Sequence, residues 1–256
     1  MTRLLALTRA VSPGLATCEL THLDRAPIDV ATAEAQHAAY ERLLESLGCT
    51  VRRVAPAPSH PDAVFIEDTA VVLDEVAVVT RPGAASRRGE VEVVAEALAP
   101  LRPLQRIEAP GTLDGGDVIV VGRRILVGRT GRSNDAGIAQ LRAHVAPFGY
   151  TVEGVDVTGC LHLKSAATAL DDATVLCNPA WVDPRAFAPL RTLAVDPAEP
   201  MAANVVRVGP ALVHDAAHAR TRAMLEAHGY TVHTTDASEL AKAEGAVTCC
   251  SILLRA

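Results

Sequence analysis

"LGCTVRRV", residues 47–54, recurs in outline as "FGYTVEGV" at 148–155 and "HGYTVHTT" at 228–235. Each copy follows an amphipathic stretch: Thr32–Leu47, Asn134–Phe148 and Ala216–His228. Each sets a glycine where a helix end takes a left-handed residue, which only a residue lacking Cβ adopts freely, and then opens a β-branched strand. Two fainter copies fill the gaps. "VEVVAEALAPLRPLQRI" (91–107) ends its helix near Pro100 and restarts near Leu104; "RAFAPLRTLAV" (185–195) does so between Pro189 and Leu193. Helix ends near 47, 100, 148, 190 and 228 mark five units about 40–50 residues apart, within the range of repeat folds.

Between the helices lie paired apolar runs split by turn residues. They are "TAVVLDEVAVVT" (turn Asp74-Glu75), "DVIVVGRRILVG" (Gly122-Arg123-Arg124), "ATALDDATVLC" (Asp171-Asp172) and "NVVRVGPALVH" (Gly209-Pro210). Valine-rich runs flanking such turns read as β-hairpins. The fifth unit has only "AVTCCSILLRA" (246–256), and its missing partner is supplied by the first strand, "RLLALTRA" (3–10). That pairing closes five units into a ring in the manner of a propeller and makes the tail an interior strand. The competing reading is a plain α+β fold with chance similarity between helix ends. A ring brings one end of every unit to a shared axis, so residues distant in sequence can converge there.

The chain has 256 residues, 49% of them hydrophobic and 21% charged, enough for one substantial core, and the expectation is one domain over 1–256. A net charge of -6 without a basic block argues against nucleic acid as partner. Six scattered cysteines with no CxxC pair do not fit a structural zinc site. The apolar stretch Leu4–Leu7 falls short of the roughly 7–15 residues of an export signal, and no run approaches the roughly 18 of a membrane span. These features fit a cytoplasmic protein with reduced thiols and no membrane partner, monomeric or homodimeric.

Four stretches are more polar than their surroundings require. "DAVFIEDTAVV" carries Asp62, Glu67 and Asp68; "TLDGGDVIVV" carries Asp114 and Asp117; "CLHLKSAA" alternates His162 and Lys164 with leucines; "VTCCSILL" supplies Cys249 and Cys250. Read as strands, the last two point His162 away from Leu161 and Leu163 and let only one thiol face a site. Each feature alone is ordinary, since a cysteine in an apolar strand is usually an inert small hydrophobe and a lone strand histidine is usually structural.

Together they match a known pattern. "PDAVFIEDTAVV", "VTRPGAASRRGE", "LDGGDV", "GRTGRSNDAG", "LHLKS", "AANVV" and "EGAVTCCS" occur in order over essentially the whole chain. They resemble the dimethylarginine dimethylaminohydrolases of the guanidine-modifying superfamily. The resemblance implies an α/β fold: a five-bladed α/β propeller (pentein) of ββαβ units with pseudo-fivefold symmetry, closed by the N- and C-terminal strands. It implies Cys249 as nucleophile and His162 as general acid/base, with Asp114 beside the histidine. Asp68 and Glu67, with Asp62 nearby, would hold the cationic end and the amine of the substrate, and Phe65 would line the pocket. Arg87 and Arg132 would hold the α-carboxylate, Leu20 would lie on a mobile lid formed by "CELTHLDRAP", and the Ala243 carbonyl would meet the α-amine. Two positions depart from the pattern. Some relatives have Glu where Asp114 stands, so its contact with His162 or the guanidinium is expected to lengthen or vanish. Glu244 replaces a more usual Asp, and its role is open.

The implied reaction is hydrolysis of Nω-methylated L-arginines to L-citrulline and dimethylamine or methylamine through a covalent S-alkylthiouronium on cysteine, with no cofactor and no metal. The alternatives are an arginine deiminase-like hydrolase acting on unmethylated arginine, although those chains typically carry an extra helical insertion, and an amidino transferase. A non-catalytic propeller that acts as a binding module, and opportunistic zinc binding by Cys249 and His162, complete the set.

Overall fold

The computed structural model describes residues 4–255. The chain begins in β1 (Leu4–Thr8), crosses through α1 (Val30–Ser46) and returns in β2 (Thr50–Arg53), parallel to β1. The Asp29 carboxylate starts α1 by accepting from the Thr32 N–H, and Gly48, at φ 91°, lies just past its end. Gly149 and Gly229 close the later copies at φ 79° and 89°, so the repeated glycines do take the left-handed conformation that the sequence requires of them.

Four further sheets follow, each an antiparallel hairpin with a third strand added in parallel after a crossover. They are β3 (Ala70–Val72), β4 (Ala77–Val79) and β5 (Leu104–Arg106); β6 (Val118–Val121), β7 (Arg124–Arg129) and β8 (Thr151–Asp156); β9 (Ala167–Ala169), β10 (Thr174–Cys177) and β11 (Arg191–Ala194); and β12 (Val205–Val208), β13 (Ala211–Asp215) and β14 (Thr231–Thr235). The crossovers contain α2 (Val91–Leu98), α3 (Asp135–Val145) and, before β14, α5 (Ala219–Ala227). A short α4 (Leu163–Ala166) precedes β9.

The last strand, β15 (Ile252–Arg255), pairs antiparallel with β1, from Leu4 opposite Arg255 to Leu7 opposite Ile252. The fifth sheet is thus made from both ends of the chain, and the ring closes. Arg3 and Ala256, the outer residues of the two expected terminal strands, lie outside the described residues. The inner strands β3, β6, β9, β12 and β15 line an axial cavity of ≈ 300 Å³. On the outside, α3 lays Ile138, Leu141 and Val145 against Val118, Ile125 and Val152 in helix-on-sheet packing. The fold is a five-bladed α/β propeller of the pentein type. Among the described residues, no helix is long and apolar enough to cross a membrane.

The local expectations need five corrections. The fourth crossover holds only a 3-10 turn, Pro184–Phe187, because two prolines in "DPRAFAP" remove the N–H groups a longer helix would need. The β6–β7 turn is Gly122-Arg123, with Arg124 already paired to Val121. β15 is an edge strand rather than an interior one, with β1 in the middle of the closing sheet. His162 is not in a strand but is the extended residue capping α4. Cys249 and Cys250 lie in a 3-10 turn, Thr248–Cys250, that leads into β15.

Closure depends on packing as well as pairing: Leu7 is fully buried with Ile252, Leu254 and Val54. Leu7→Ala should cost about 2–5 kcal/mol, read as a lower denaturant midpoint with unchanged slope. A variant as stable as the parent would show that the closing sheet is not packed as described.

Candidate active site

A tight turn precedes the inner strand of every sheet, and the five turns meet at one end of the axis. One residue from each joins a hydrogen-bonded knot. Lys164 Nζ donates to Glu67 Oε1 at 2.6 Å and to the Gly115 carbonyl at 3.2 Å. Thr248 Oγ1 donates to Glu67 Oε2 at 2.8 Å. The Asn204 amide donates to Thr248 Oγ1 and to the Lys164 carbonyl, each at 3.0 Å, and accepts the Thr248 N–H at 3.0 Å. The knot separates the axial cavity from a second, small pocket of ≈ 20 Å³.

Cys249, His162 and Asp68 line this second pocket together, with Phe65 against them. Asp62, Arg87, Arg132, Ala243 and Glu244 complete most of the remaining wall. The sequence therefore brings together all its expected site residues but three. Leu20 packs its side chain on the apolar cluster containing Phe65 and Cys249. Asp114 stands behind His162, with its Oδ2 3.1 Å from Nε2 and its Oδ1 accepting the Gly83 N–H at 2.9 Å. The histidine contact expected to lengthen or vanish with the shorter Asp is thus kept, because Gly83 fixes the carboxylate from the other side. Glu67 faces the axis instead of the substrate pocket: both its oxygens are taken by Lys164 and Thr248, as burial of a carboxylate demands.

Arg87 also departs from expectation. Its guanidinium is buried and engaged by Asp68 Oδ2 at 2.5 Å, both oxygens of Glu90, and the Phe65 and Asp62 carbonyls. A buried guanidinium needs such partners, so Arg87 braces Asp68, and Arg132 is the other arginine of the pocket wall. Several participants were not singled out from sequence: Glu19, Leu161 and Gly245 in the pocket wall, and Asn204 and Thr248 in the knot; Asp117 is noted there without a role. Asp117, fully buried, accepts from Thr130 Oγ1, Ser133 Oγ and the Leu163 N–H, and so fixes the residue after His162. Gly116 allows the close approach, since a Cβ there would lie 2.6 Å from His162 Nδ1 and 2.8 Å from Asp68 Oδ1.

The charges are strongly coupled. Burial alone would depress the His162 pKa, but Asp68, then the Asp114 hydrogen bond and the Asp117 charge, outweigh it and raise it to about 9. Burial would likewise raise Asp68, yet His162 and Arg87 hold it well below the usual carboxylate range. Burial pushes Asp117 up to about 6. Cys249 is raised to about 12, first by burial and then by the charges of Glu67 and Asp68. At neutral pH the resting site therefore pairs an imidazolium with a protonated thiol. Asp68, Asp114 and His162 also form the one buried group among the described residues with metal-ligand spacing, and Cys249 is not part of it. Their oxygens are already engaged by Arg87, Gly116 and Gly83.

The segment expected as a lid is latched shut. The N–H groups of Thr21, His22 and Leu23 all donate to the Glu244 carboxylate, the first at 2.9 Å and the last at 2.7 Å. Arg132 Nη2 donates to Thr21 Oγ1 at 3.1 Å, and Asp62 accepts the Glu19 N–H at 3.2 Å. Glu244 is the one non-glycine residue with positive φ, 56°, among the described residues, a strained backbone held where its carboxylate meets the lid. Glu244→Ala removes bonds worth about 1 kcal/mol each, so trypsin should cut at Arg25 several-fold faster than in the parent; equal rates would show that Glu244 does not hold the lid.

No protein-family model matches the chain. The N(G),N(G)-dimethylarginine dimethylaminohydrolase of Streptomyces coelicolor is 44% identical, over 98% of this chain and 96% of that protein. The corresponding enzyme of Pseudomonas aeruginosa, solved as a cysteine-to-serine mutant complexed with citrulline, superposes with a TM-score of 0.92 at 31% identity, covering 99% of this chain and all of that one. A dimethylarginine dimethylaminohydrolase with histidine replaced by glycine, solved as an adduct with S-methyl-L-thiocitrulline, superposes at 0.93 with 32% identity over 99% of this chain and 100% of the other. Agreement of this extent in sequence and fold means that the chain belongs to the N(G),N(G)-dimethylarginine dimethylaminohydrolase family.

Proposed function

We propose that the chain hydrolyses Nω-methylated L-arginines, the asymmetric dimethyl and monomethyl forms, to L-citrulline and dimethylamine or methylamine. The observation that carries this reading is the convergence of a buried thiol, Cys249, and a buried, protonated histidine, His162, on one pocket with the anionic Asp68. Arg132 lies in the same wall, and an arginine derivative offers a cation to one and a carboxylate to the other. Asp62, the Ala243 carbonyl and the lid around Leu20 are assigned to the α-amine. Six free thiols fit a reducing, cytoplasmic setting.

The charge state supports a substrate-triggered mechanism. A guanidinium entering beside Asp68 offsets the negative field that holds the Cys249 thiol protonated, so the thiol proton leaves to solvent as the substrate binds and the thiolate forms next to the carbon it attacks. Sulfur bonds to the guanidinium carbon, and the central carbon–nitrogen resonance is lost. The leaving amine takes a proton from His162 as its C–N bond breaks, giving the S-alkylthiouronium and a neutral imidazole. His162 then accepts a proton from a water that attacks the same carbon, the C–S bond breaks, and the hydroxyl proton passes to the departing sulfur, which releases citrulline and restores the thiol. No step calls for a cofactor.

Citrulline release from asymmetric dimethylarginine, monomethylarginine and unmethylated arginine is the direct test; turnover of arginine alone would transfer the reading to a deiminase. Cys249→Ser should abolish turnover and Cys250→Ser should spare it. Because His162 works as an acid, kcat should fall on the alkaline side as pH rises through the pKa of His162, which Asp68, Asp114 and Asp117 hold above its ordinary value. Asp114 helps raise that value, so Asp114→Asn should move the alkaline limb to lower pH. A limb that stays in place would remove His162 as the titrating group.

A further inference from the structure

The fourth turn, residues 201–204, places no side chain in the substrate pocket. Its Asn204 nevertheless touches both turns that carry the proposed chemistry. The side-chain carbonyl accepts the backbone N–H of Thr248, the residue before Cys249, and the amide nitrogen donates to the Thr248 hydroxyl and to the carbonyl of Lys164, two residues beyond His162. All three bonds are at 3.0 Å, and Asn204 is 5% exposed, so water does not compete for them. From these contacts we infer that Asn204 is a positioning residue that sets the separation of the nucleophile turn from the acid/base turn. The inference rests on the reaction proposed above.

The reasoning is geometric. Thr248–Cys250 and α4 belong to different sheets, so no strand ladder ties one to the other. The knot does so instead, through Glu67 by way of two side chains and through Asn204 directly to two backbones. Backbone contacts fix the turns themselves, and hence Cβ of Cys249 and of His162, whereas side-chain contacts leave rotamer freedom. The residues assigned to the two ends of the substrate, Asp68, Asp62 and Arg132, are untouched by Asn204. Its loss should therefore weaken the chemical step and leave binding nearly intact, and a misplacement of about 1 Å is worth on the order of 100-fold in rate.

The test compares Asn204→Ala with Asn178→Ala. Asn178 is also 5% exposed and also bridges backbone groups, donating to the Pro200 carbonyl and accepting the Ala180 N–H, but outside the site. Both variants should lose stability. Only Asn204→Ala should lose kcat on asymmetric dimethylarginine, by about 100-fold, with KM within a few-fold of the parent. Equal kcat losses in the two variants, or a loss carried by KM, would overturn the inference.

If Asn204→Ala does not fold, Asn204→Asp keeps the acceptor for Thr248 N–H and loses the donor unless its carboxyl is protonated. Its kcat relative to the parent should then rise from alkaline to mildly acid pH, and a constant ratio would count against the role. A parent enzyme that releases no citrulline would instead sink the reaction, which separates the two failures.

Discussion

Glu67 meets Lys164 on one carboxylate oxygen and Thr248 on the other, at the point where the turns of the propeller come together. Burial pushes its pKa up, and the lysine charge and hydrogen bonds work against that rise. A buried carboxylate held this way tolerates few geometries, because each displaced partner would strand a charge or a polar group away from water. The consequence is a division of labour within single turns. Glu67 serves the axis and Asp68 the pocket; Thr248 serves the axis and Cys249 the pocket; Lys164 serves the axis and His162 the pocket. The knot thereby fixes the register of neighbours that carry the chemistry.

On the pocket side, three aspartates surround one imidazole. Asp68 and Asp114 lie 3.9 Å and 3.1 Å from its two nitrogens, and Asp117 acts through the adjacent backbone. This arrangement keeps a proton both on the imidazole and on the Cys249 thiol of the resting site. Arg87, drawn inward by Asp68 and Glu90, prevents the acidic cluster from becoming a purely repulsive assembly. The same anionic lining that disfavours a free thiolate selects a guanidinium, so reactivity and recognition share one electrostatic origin.

The ring was legible in the sequence because its signals are local. A glycine after an amphipathic stretch, a β-branched restart and a two-residue turn each report on a few neighbouring residues, and they recur. The fourth unit blurred because Pro184 and Pro189 shorten its crossover to one turn. The site was legible through resemblance, with Cys249, His162 and Asp68 in their motifs. What escaped were long-range partnerships. Alternation in "LHLKS" suggested a strand, while the backbone there turns to place Leu163 N–H on Asp117. Nothing near Arg87 in the chain announces Asp68, nineteen residues away, and nothing near Asn204 announces Thr248.

Joining the first and last strands also decides how the molecule is wired. Leu4 lies opposite Arg255, so the two ends of the chain are adjacent in an antiparallel pair. A short linker across that gap, with new termini opened at the exposed Asp74 of the β3–β4 turn, would give a circular permutant in which the pairing of greatest sequence separation becomes a neighbouring hairpin. In the order of synthesis, β15, which follows the Cys249 turn, is the last strand of its sheet to be made and docks on the free edge of β1, the first.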